Sequence, residues 1–262
     1  MDPRNRDNIS IWFANTGQFA SLLARRPAAV FACISRAERA RYEATVSRRA
    51  RLQFLLGRYL LRHALCAQSG NTRLPAHWKI IADRHGKPGL CRRTTGTMAF
   101  NIAHSGDLVA VAFAQGLEPG LDIEPIAASG RFSARQLLSD AQHRHLTGFA
   151  RARREALLAQ VWCIKEAAAK AYGLGLRLPF RTLDFALASL DDRSLSVWQE
   201  GSRDGHDGFR FRLLELGERY RLCLAYVSSG QHPVASPGVS LYAFTPPDTT
   251  GPGLGAALAT QL

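Results

Sequence analysis

The sequence is short of lysine, of paired cysteines and of long apolar runs, and each shortage removes a class of function. Only four of the 34 basic residues are lysines, Lys79, Lys87, Lys165 and Lys170; the rest are arginines. Set beside abundant alanine, this bias is expected of a GC-rich genome, in which arginine fills generic basic positions. The five cysteines (Cys33, Cys66, Cys91, Cys163, Cys223) are odd in number and never form CxxC, so they indicate neither a disulfide framework nor a zinc site. They read as reduced packing residues. The longest apolar runs, such as LVAVAFA at 108 to 114, fall far short of the ~20 residues that span a bilayer. The start, MDPRNRDN, is too polar for a signal peptide, so the expected location is the cytoplasm, with no membrane role.

A net charge of +13 raises the alternative of an arginine-rich, non-catalytic module that binds nucleic acid or another anionic partner. The arrangement argues against it. Clusters such as RRARLQFLLGR interleave arginine with leucine at helical spacing rather than with exposed aromatics, so an amphipathic helix with a basic outer face is expected. His143 and His145, in AQHRHL, lack ligand-spaced acids or thiols and read as a solvated helix surface.

At 262 residues and 46% hydrophobic content the chain is long enough for one large or two smaller cores. Residues 35 to 66 carry apolar positions at i, i+3 and i+4 and predict one or two helices. DRHGKPGL at 83 to 90 reads as a turn, FNIAHSGDLVAVAFA as strand, turn and strand, QGLEPG at 115 to 120 as a loop, and GLDIEPI as a strand. A helix is expected from 133 to 150 and a longer one over EALLAQVWCIKEAAAKAYGLGL at 155 to 176, with short strands at 182 to 188, 195 to 199, 208 to 215 and 219 to 227. Residues 231 to 262, rich in Gly, Pro, Thr and Ala, are expected to be a tail without packed structure.

Two positions in GLDIEPI stand out. Residues i and i+2 of a strand share a face, so Asp122 and Glu124 point together while Leu121 and Ile123 point into a core. Like charges that close need compensation, either from an Arg or Lys partner or from a divalent cation. In WCIKEAAAKAYG, Glu166 and Lys170 lie four apart on one helix face with Trp162 a turn earlier, which fits an ordinary ion pair or a metal ligand beside a phosphate-neutralising cation. Lys165 reads as a solvated neighbour. GLGL after Tyr172 follows a helix instead of opening one and is no phosphate loop.

Taken in order, LLGRYLLR, HGKPGL, NIAHS, GLDIE and WCIKEAAAKAYGLGL resemble the motifs of the surfactin-type 4′-phosphopantetheinyl transferases, over roughly residues 35 to 180. Ala103 departs from that pattern, which has Ser or Thr before the histidine. The resemblance implies an α+β fold of two similar α/β subdomains related by a pseudo-twofold axis, expected here at 1–115 and 116–230, with coenzyme A in the cleft between them. It implies a bacterial, monomeric transferase that moves the phosphopantetheine arm of coenzyme A to a serine of an apo acyl or peptidyl carrier protein in fatty-acid, polyketide or nonribosomal peptide synthesis. By position, Asp122, Glu124 and Glu166 would hold Mg²⁺, or Mn²⁺ in its place; Glu166 would be the general base; Lys170 would meet the leaving phosphate. Arg41, Arg49, Lys87 and His104 would contact coenzyme A phosphates. With three buried carboxylates repelling one another, Asp122→Asn and Glu166→Gln are expected to melt no lower than the wild type.

Overall fold

The computed structural model describes residues 8–83, 87–90, 98–126, 133–187, 190, 198–204, 207–228, 237–245 and 257–261. The chain forms two units, residues 1–115 together with 237–262, and residues 116–236.

The first unit holds a five-stranded sheet of order β12-β11-β1-β5-β4. Its strands are β1 (Asn8–Asn15), β4 (Met98–Ser105), β5 (Leu108–Gln115), β11 (Gly238–Phe244) and β12 (Ala257–Gln261). All neighbours are antiparallel except β1 and β11, which run parallel with Asn8 opposite Gly238 and Phe13 opposite Ala243. A separate hairpin pairs β2 (Ile80–Ala82) with β3 (Pro88–Leu90). The helices are α1 (Thr16–Arg25), α2 (Pro27–Ala32), α3 (Arg36–Ala44) and α4 (Arg48–Gln68). Ser35 and Glu38 cap α3 reciprocally, and Ser47 Oγ accepts from Ala50 N at the start of α4. The apolar stripe of α4, including Leu55, Leu56, Tyr59, Leu60 and Leu65, packs in one core with Val109, Val111 and Phe113 of β5.

Arg58 and Arg62 of α4 do not belong to the expected basic outer face. Both are buried and converge on Glu38 of α3: Arg62 Nη2 donates to Oε2 at 2.6 Å, and Arg58 Nε lies 3.2 Å from Oε1. The outer face is made by Arg48 and Arg49, which are exposed. The expected unstructured tail is also corrected. Val239, Leu241 and Phe244 are buried on β11, which lies between β1 and β12. Averaged over 231 to 262, the composition hid a seven-residue strand covered on both faces, whose apolar content does not alternate simply. The rest of that tail, at 231–236, 246–256 and 262, lies outside the described residues, as do Cys91, residues 84–86 of the predicted turn, and 188 and 195–197 of two predicted strands.

The second unit holds a sheet of order β6-β10-β9-β8-β7, all antiparallel. Its strands are β6 (Leu117–Pro125), β7 (Leu183–Asp184), β8 (Gln199–Arg203), β9 (Asp207–Leu216) and β10 (Tyr220–Ser228). The predicted loop at 115 to 120 shrinks to Gly116, because β6 already begins at Leu117. Pro119 is tolerated there since β6 is an edge strand and can spare a donor. In place of one helix from 133 to 150 there are two, α5 (Ala134–Leu137) and α6 (Asp140–Leu146). The break falls at Ser139, whose side chain forms a capping box with Gln142. His143 and His145 are exposed on α6. The 21-residue α7 (Arg151–Ala171) ends at Gly173, which takes a φ of 74°. It buries Leu157, Val161, Ile164, Ala167 and Ala168 in one core with Phe209, Phe211, Leu213 and Ala225. Among the described residues, no helix is long and apolar enough to cross a membrane.

Candidate active site

On β6 the alternation holds: Leu121 and Ile123 are buried on one face, while Gly120, Asp122 and Glu124 share the other. Helix α7 lies against that second face at unusually short range. A Cβ on Gly120 would stand 1.9 Å from the Ala167 carbonyl oxygen and 2.5 Å from the Ala171 nitrogen, closer than any side-chain carbon can approach. Glycine thus allows the helix backbone to rest on the strand, and this brings Glu166 and Lys170 down onto Asp122.

Asp122 is buried, 7% exposed. Its Oδ1 accepts from Lys170 Nζ at 2.7 Å, and the same ammonium donates to the Leu121 carbonyl at 3.1 Å. Glu166 Oε2 lies 3.9 Å from Lys170 Nζ. Asp122 Oδ2 is buried without a hydrogen-bond partner. Glu124 Oε1 accepts from Trp162 Nε1 at 3.0 Å. The Trp162 ring stands edge-on to Phe180, with centroids 5.3 Å apart.

The charges shape one another. Burial pushes the Glu166 carboxyl up from its ordinary value; Lys170 opposes this and the Asp122 charge adds to it. Burial alone would lower the Lys170 ammonium, but Asp122 and Glu166 outweigh it and hold it above its ordinary value. Cys163 and Cys223 are buried close by, and burial first, then Asp122, drives both thiols well upward. They are protonated packing groups, not nucleophiles.

Lys165 corrects the sequence reading. It is fully buried, and its Nζ donates to the Leu137 carbonyl at 2.9 Å, Gln142 Oε1 at 2.7 Å and the Phe180 carbonyl at 2.9 Å. Three acceptors match the three N–H groups of an ammonium. Burial nevertheless draws the group down to about 7, with the Asp184 charge opposing. The side chain ties α5, α6 and the turn at Phe180 to α7.

The basic candidates belong to the first unit. Arg49 Nε donates to the Gly106 carbonyl at 3.1 Å, and Gln53 Nε2 donates to the same oxygen at 2.9 Å, so α4 grips the β4–β5 turn. His104, exposed on β4, pairs with Val109 beside that turn. Arg41 is exposed, with its guanidinium 4.9 Å from the Phe54 ring centre. Lys87 precedes β3, and its backbone N–H donates to Asp83 Oδ1 at 2.9 Å. Asp122, Glu166 and Lys170 therefore form one cluster with Glu124 tied to α7 through Trp162; Arg49 and His104 share a turn; Arg41 and Lys87 lie on separate elements.

Sequence reasoning missed two contributors. Trp162 was visible only as an apolar mark on the helix face, although a Trp one turn before Glu166 carries a donor. Gly120 gave a signal in its place two residues before Asp122, on the same strand face.

Among the described residues, no group of three or more His, Cys, Asp or Glu side chains is gathered as a ready metal site. The donors present still suit magnesium, a hard cation that commonly takes one or two carboxylates and leaves the remaining positions to water and substrate phosphates. Asp122, with a buried oxygen lacking a partner, and Glu166, beside it, are such a pair.

Residues 118–225 match the family model described as the 4′-phosphopantetheinyl transferase superfamily, and residues 24–116 match the one described as 4′-phosphopantetheinyl transferase, N-terminal. The chain is 32% identical over 125 residues to the 4′-phosphopantetheinyl transferase AcpT of Escherichia coli O157:H7, an alignment covering 47% of this chain and 58% of the relative. It is 26% identical over 187 residues to a 4′-phosphopantetheinyl transferase of Bacillus subtilis, covering 71% of this chain and 77% of the relative. The matched stretch thus spans little more than half of the first relative and about three quarters of the second.

Proposed function

This chain belongs to the 4′-phosphopantetheinyl transferase superfamily, and we propose that it transfers the phosphopantetheine arm of coenzyme A to a serine of an apo acyl or peptidyl carrier protein. The serine oxygen forms a bond to the phosphorus that carries the pantetheine arm. The bond from that phosphorus to the bridging oxygen of the pyrophosphate breaks, and adenosine 3′,5′-bisphosphate leaves. The observation that carries this reading is the Asp122–Lys170–Glu166 cluster, pressed together by the glycine at 120 and lying within the segment that matches the family.

Each side chain has a task suited to its state. Glu166, raised by burial, takes the serine proton as general base. Lys170, held protonated by its two carboxylates, neutralises or protonates the departing phosphate. Asp122 and Glu166, with Glu124, would hold Mg²⁺, or Mn²⁺ in its place, which when bound polarises the phosphoryl group and offsets its growing charge. Arg41, Arg49, Lys87 and His104 would contact the phosphates of coenzyme A. The enzyme acts as a monomer without nucleic acid or membrane, and the net charge of +13 favours an acidic carrier surface.

The test is direct. Protein, coenzyme A, Mg²⁺ and an apo carrier are incubated, and the carrier is weighed by mass spectrometry. A gain equal to one phosphopantetheine group is expected. No gain on fatty-acid, polyketide and nonribosomal peptide carriers alike would overturn the reading.

A further inference from the structure

A cavity of about 610 Å³ opens within the second unit where α6 meets the β7–β8 edge of the sheet, and Asp122, Glu166 and Lys170 are not among the described residues that line it. That size suits a small organic ligand, whose sites commonly run from about 300 to 1,000 Å³. The floor is apolar and firm. Phe185 and Leu187 are each 7% exposed, and the Phe185 ring is packed against Phe209 and Phe211, with centroids 6.5 and 5.0 Å apart. Asp184 adjoins this floor in an orientation set by neutral donors: its Oδ1 accepts from Ser139 Oγ at 3.1 Å and from the Phe185 backbone N–H at 3.0 Å.

The charge of this lining runs against the rest of the chain. In a protein with 34 basic and 21 acidic residues, the described lining holds two acids, Asp184 and Glu200, and neither lysine nor arginine. Of the cations nearby, Arg210 Nη2 pairs with Glu200 Oε1 at 2.7 Å. Lys165 feels the Asp184 charge but directs its three N–H groups to the Leu137 and Phe180 carbonyls and to Gln142. Among the described residues Asp184 makes no ion pair.

We propose that this cavity is a second binding site, for a small organic amine: Asp184 receives the ammonium, and the apolar body lies on Phe185 and Leu187. An ammonium on a carboxylate forms a charge-assisted hydrogen bond, and the apolar body leaves water for the floor. The site goes beyond the transfer reaction and does not depend on it.

Three probes of one shape test it: 2-phenylethylamine, 2-phenylethanol and phenylacetate, with a positive, neutral and negative end. Each is titrated into the ¹⁵N-labelled full chain, and backbone chemical shifts are followed. The amine should give saturable shifts centred on Phe185, Leu187 and Gly201. The alcohol should bind at least about tenfold more weakly, in keeping with loss of a hydrogen bond between charged groups, and phenylacetate should not bind there. Asp184→Asn should weaken the amine by a similar factor. Ala186→Trp fills the cavity from an exposed lining position whose side chain takes part in none of these hydrogen bonds, and it should abolish binding with the melting curve unchanged. Equal affinity for amine and alcohol, amine shifts that map elsewhere, or undiminished binding by either variant would overturn the proposal. Should Asp184→Asn fail to fold, the probe series and Ala186→Trp decide. No step of this test uses coenzyme A or a carrier, so its failure leaves the transferase reading intact, and a failed transfer assay leaves this site standing.

Discussion

The Lys170 ammonium stands 2.7 Å from Asp122 Oδ1 and 3.9 Å from Glu166 Oε2, so the two acids of the cluster are not equivalent. Asp122 is the close partner of a partly buried cation. Replacing it with Asn leaves that cation with the Leu121 carbonyl and the more distant Glu166. Removing one partner of a buried pair costs ~3–5 kcal/mol, and the partial exposure of Lys170 reduces this to about 1–2 kcal/mol. Asp122→Asn should therefore melt below the wild type, contrary to the expectation from charge repulsion alone, and thermal denaturation checks it.

Glu166→Gln should behave differently. In the metal-free protein the folded-state carboxyl is raised, so the fold bears the cost of its charge above that raised value and is relieved as pH falls through it. The variant should match or slightly exceed wild-type stability at pH 7, and the difference should close on acidification. A wild type that loses ground to Glu166→Gln as pH falls would contradict the direction of the shift. Transfer activity of the variant should drop at least about 100-fold, the ordinary worth of a general base.

Gly120→Ala places a carbon against helix backbone, which cannot rotate away as a side chain can. Overpacking of this kind costs ~1–3 kcal/mol. Helix α7 must also lift, and since it carries both Glu166 and Lys170, turnover should fall far more than the folded fraction at 25 °C. Chemical denaturation beside a transfer assay measures the two effects. Full activity in Gly120→Ala would show that the close approach is not needed.

Lys165→Met removes the donor to three acceptors at once, and stranded buried acceptors cost ~1–3 kcal/mol each. A loss of several kcal/mol is expected, with hydrogen exchange accelerated in α5 and α6. Burial lowers this lysine from 10.5 to about 7, so between those values the unfolded chain binds a proton that the folded chain has largely released. Stability from this group must then rise with pH across that window. The wild type should gain on Lys165→Met from pH 7 to pH 10; a gap that narrows instead would refute the downward shift.

Ending the chain at residue 236 should prevent the first unit from folding. Val239, Leu241 and Phe244 leave its core, and β1 loses one of its two neighbours. A truncated protein that keeps its wild-type circular dichroism and activity would show β11 to be dispensable.

The parts of this molecule that were legible from the sequence are those governed by local period. Asp122 and Glu124 share a face because strands alternate; Glu166 and Lys170 meet because helices return every three to four residues; the β4–β5 hairpin announces itself by its glycine turn. What remained hidden depended on distant chain. Lys165 looks like a surface residue until positions 137, 142 and 180 supply acceptors from three other places. Arg58 and Arg62 count as outer basic charge until Glu38 arrives from a different helix. Strand β11 was submerged in the composition of its flanks, and β6 began earlier than its Gly and Pro suggested because an edge strand can carry a proline.

The parallel pairing of β1 with β11 also sets an order for synthesis. Strand β1 is made well before its neighbour β11, with residues 116–236 made between them. The second unit has its whole sequence available while the first is still one strand short of enclosing β1. During that interval a buried-type strand shows an unpaired edge, the feature that most invites pairing with another chain. Slow translation of β11, or its loss, would prolong that exposure, and yield in the cell depends on how quickly β11 follows β1.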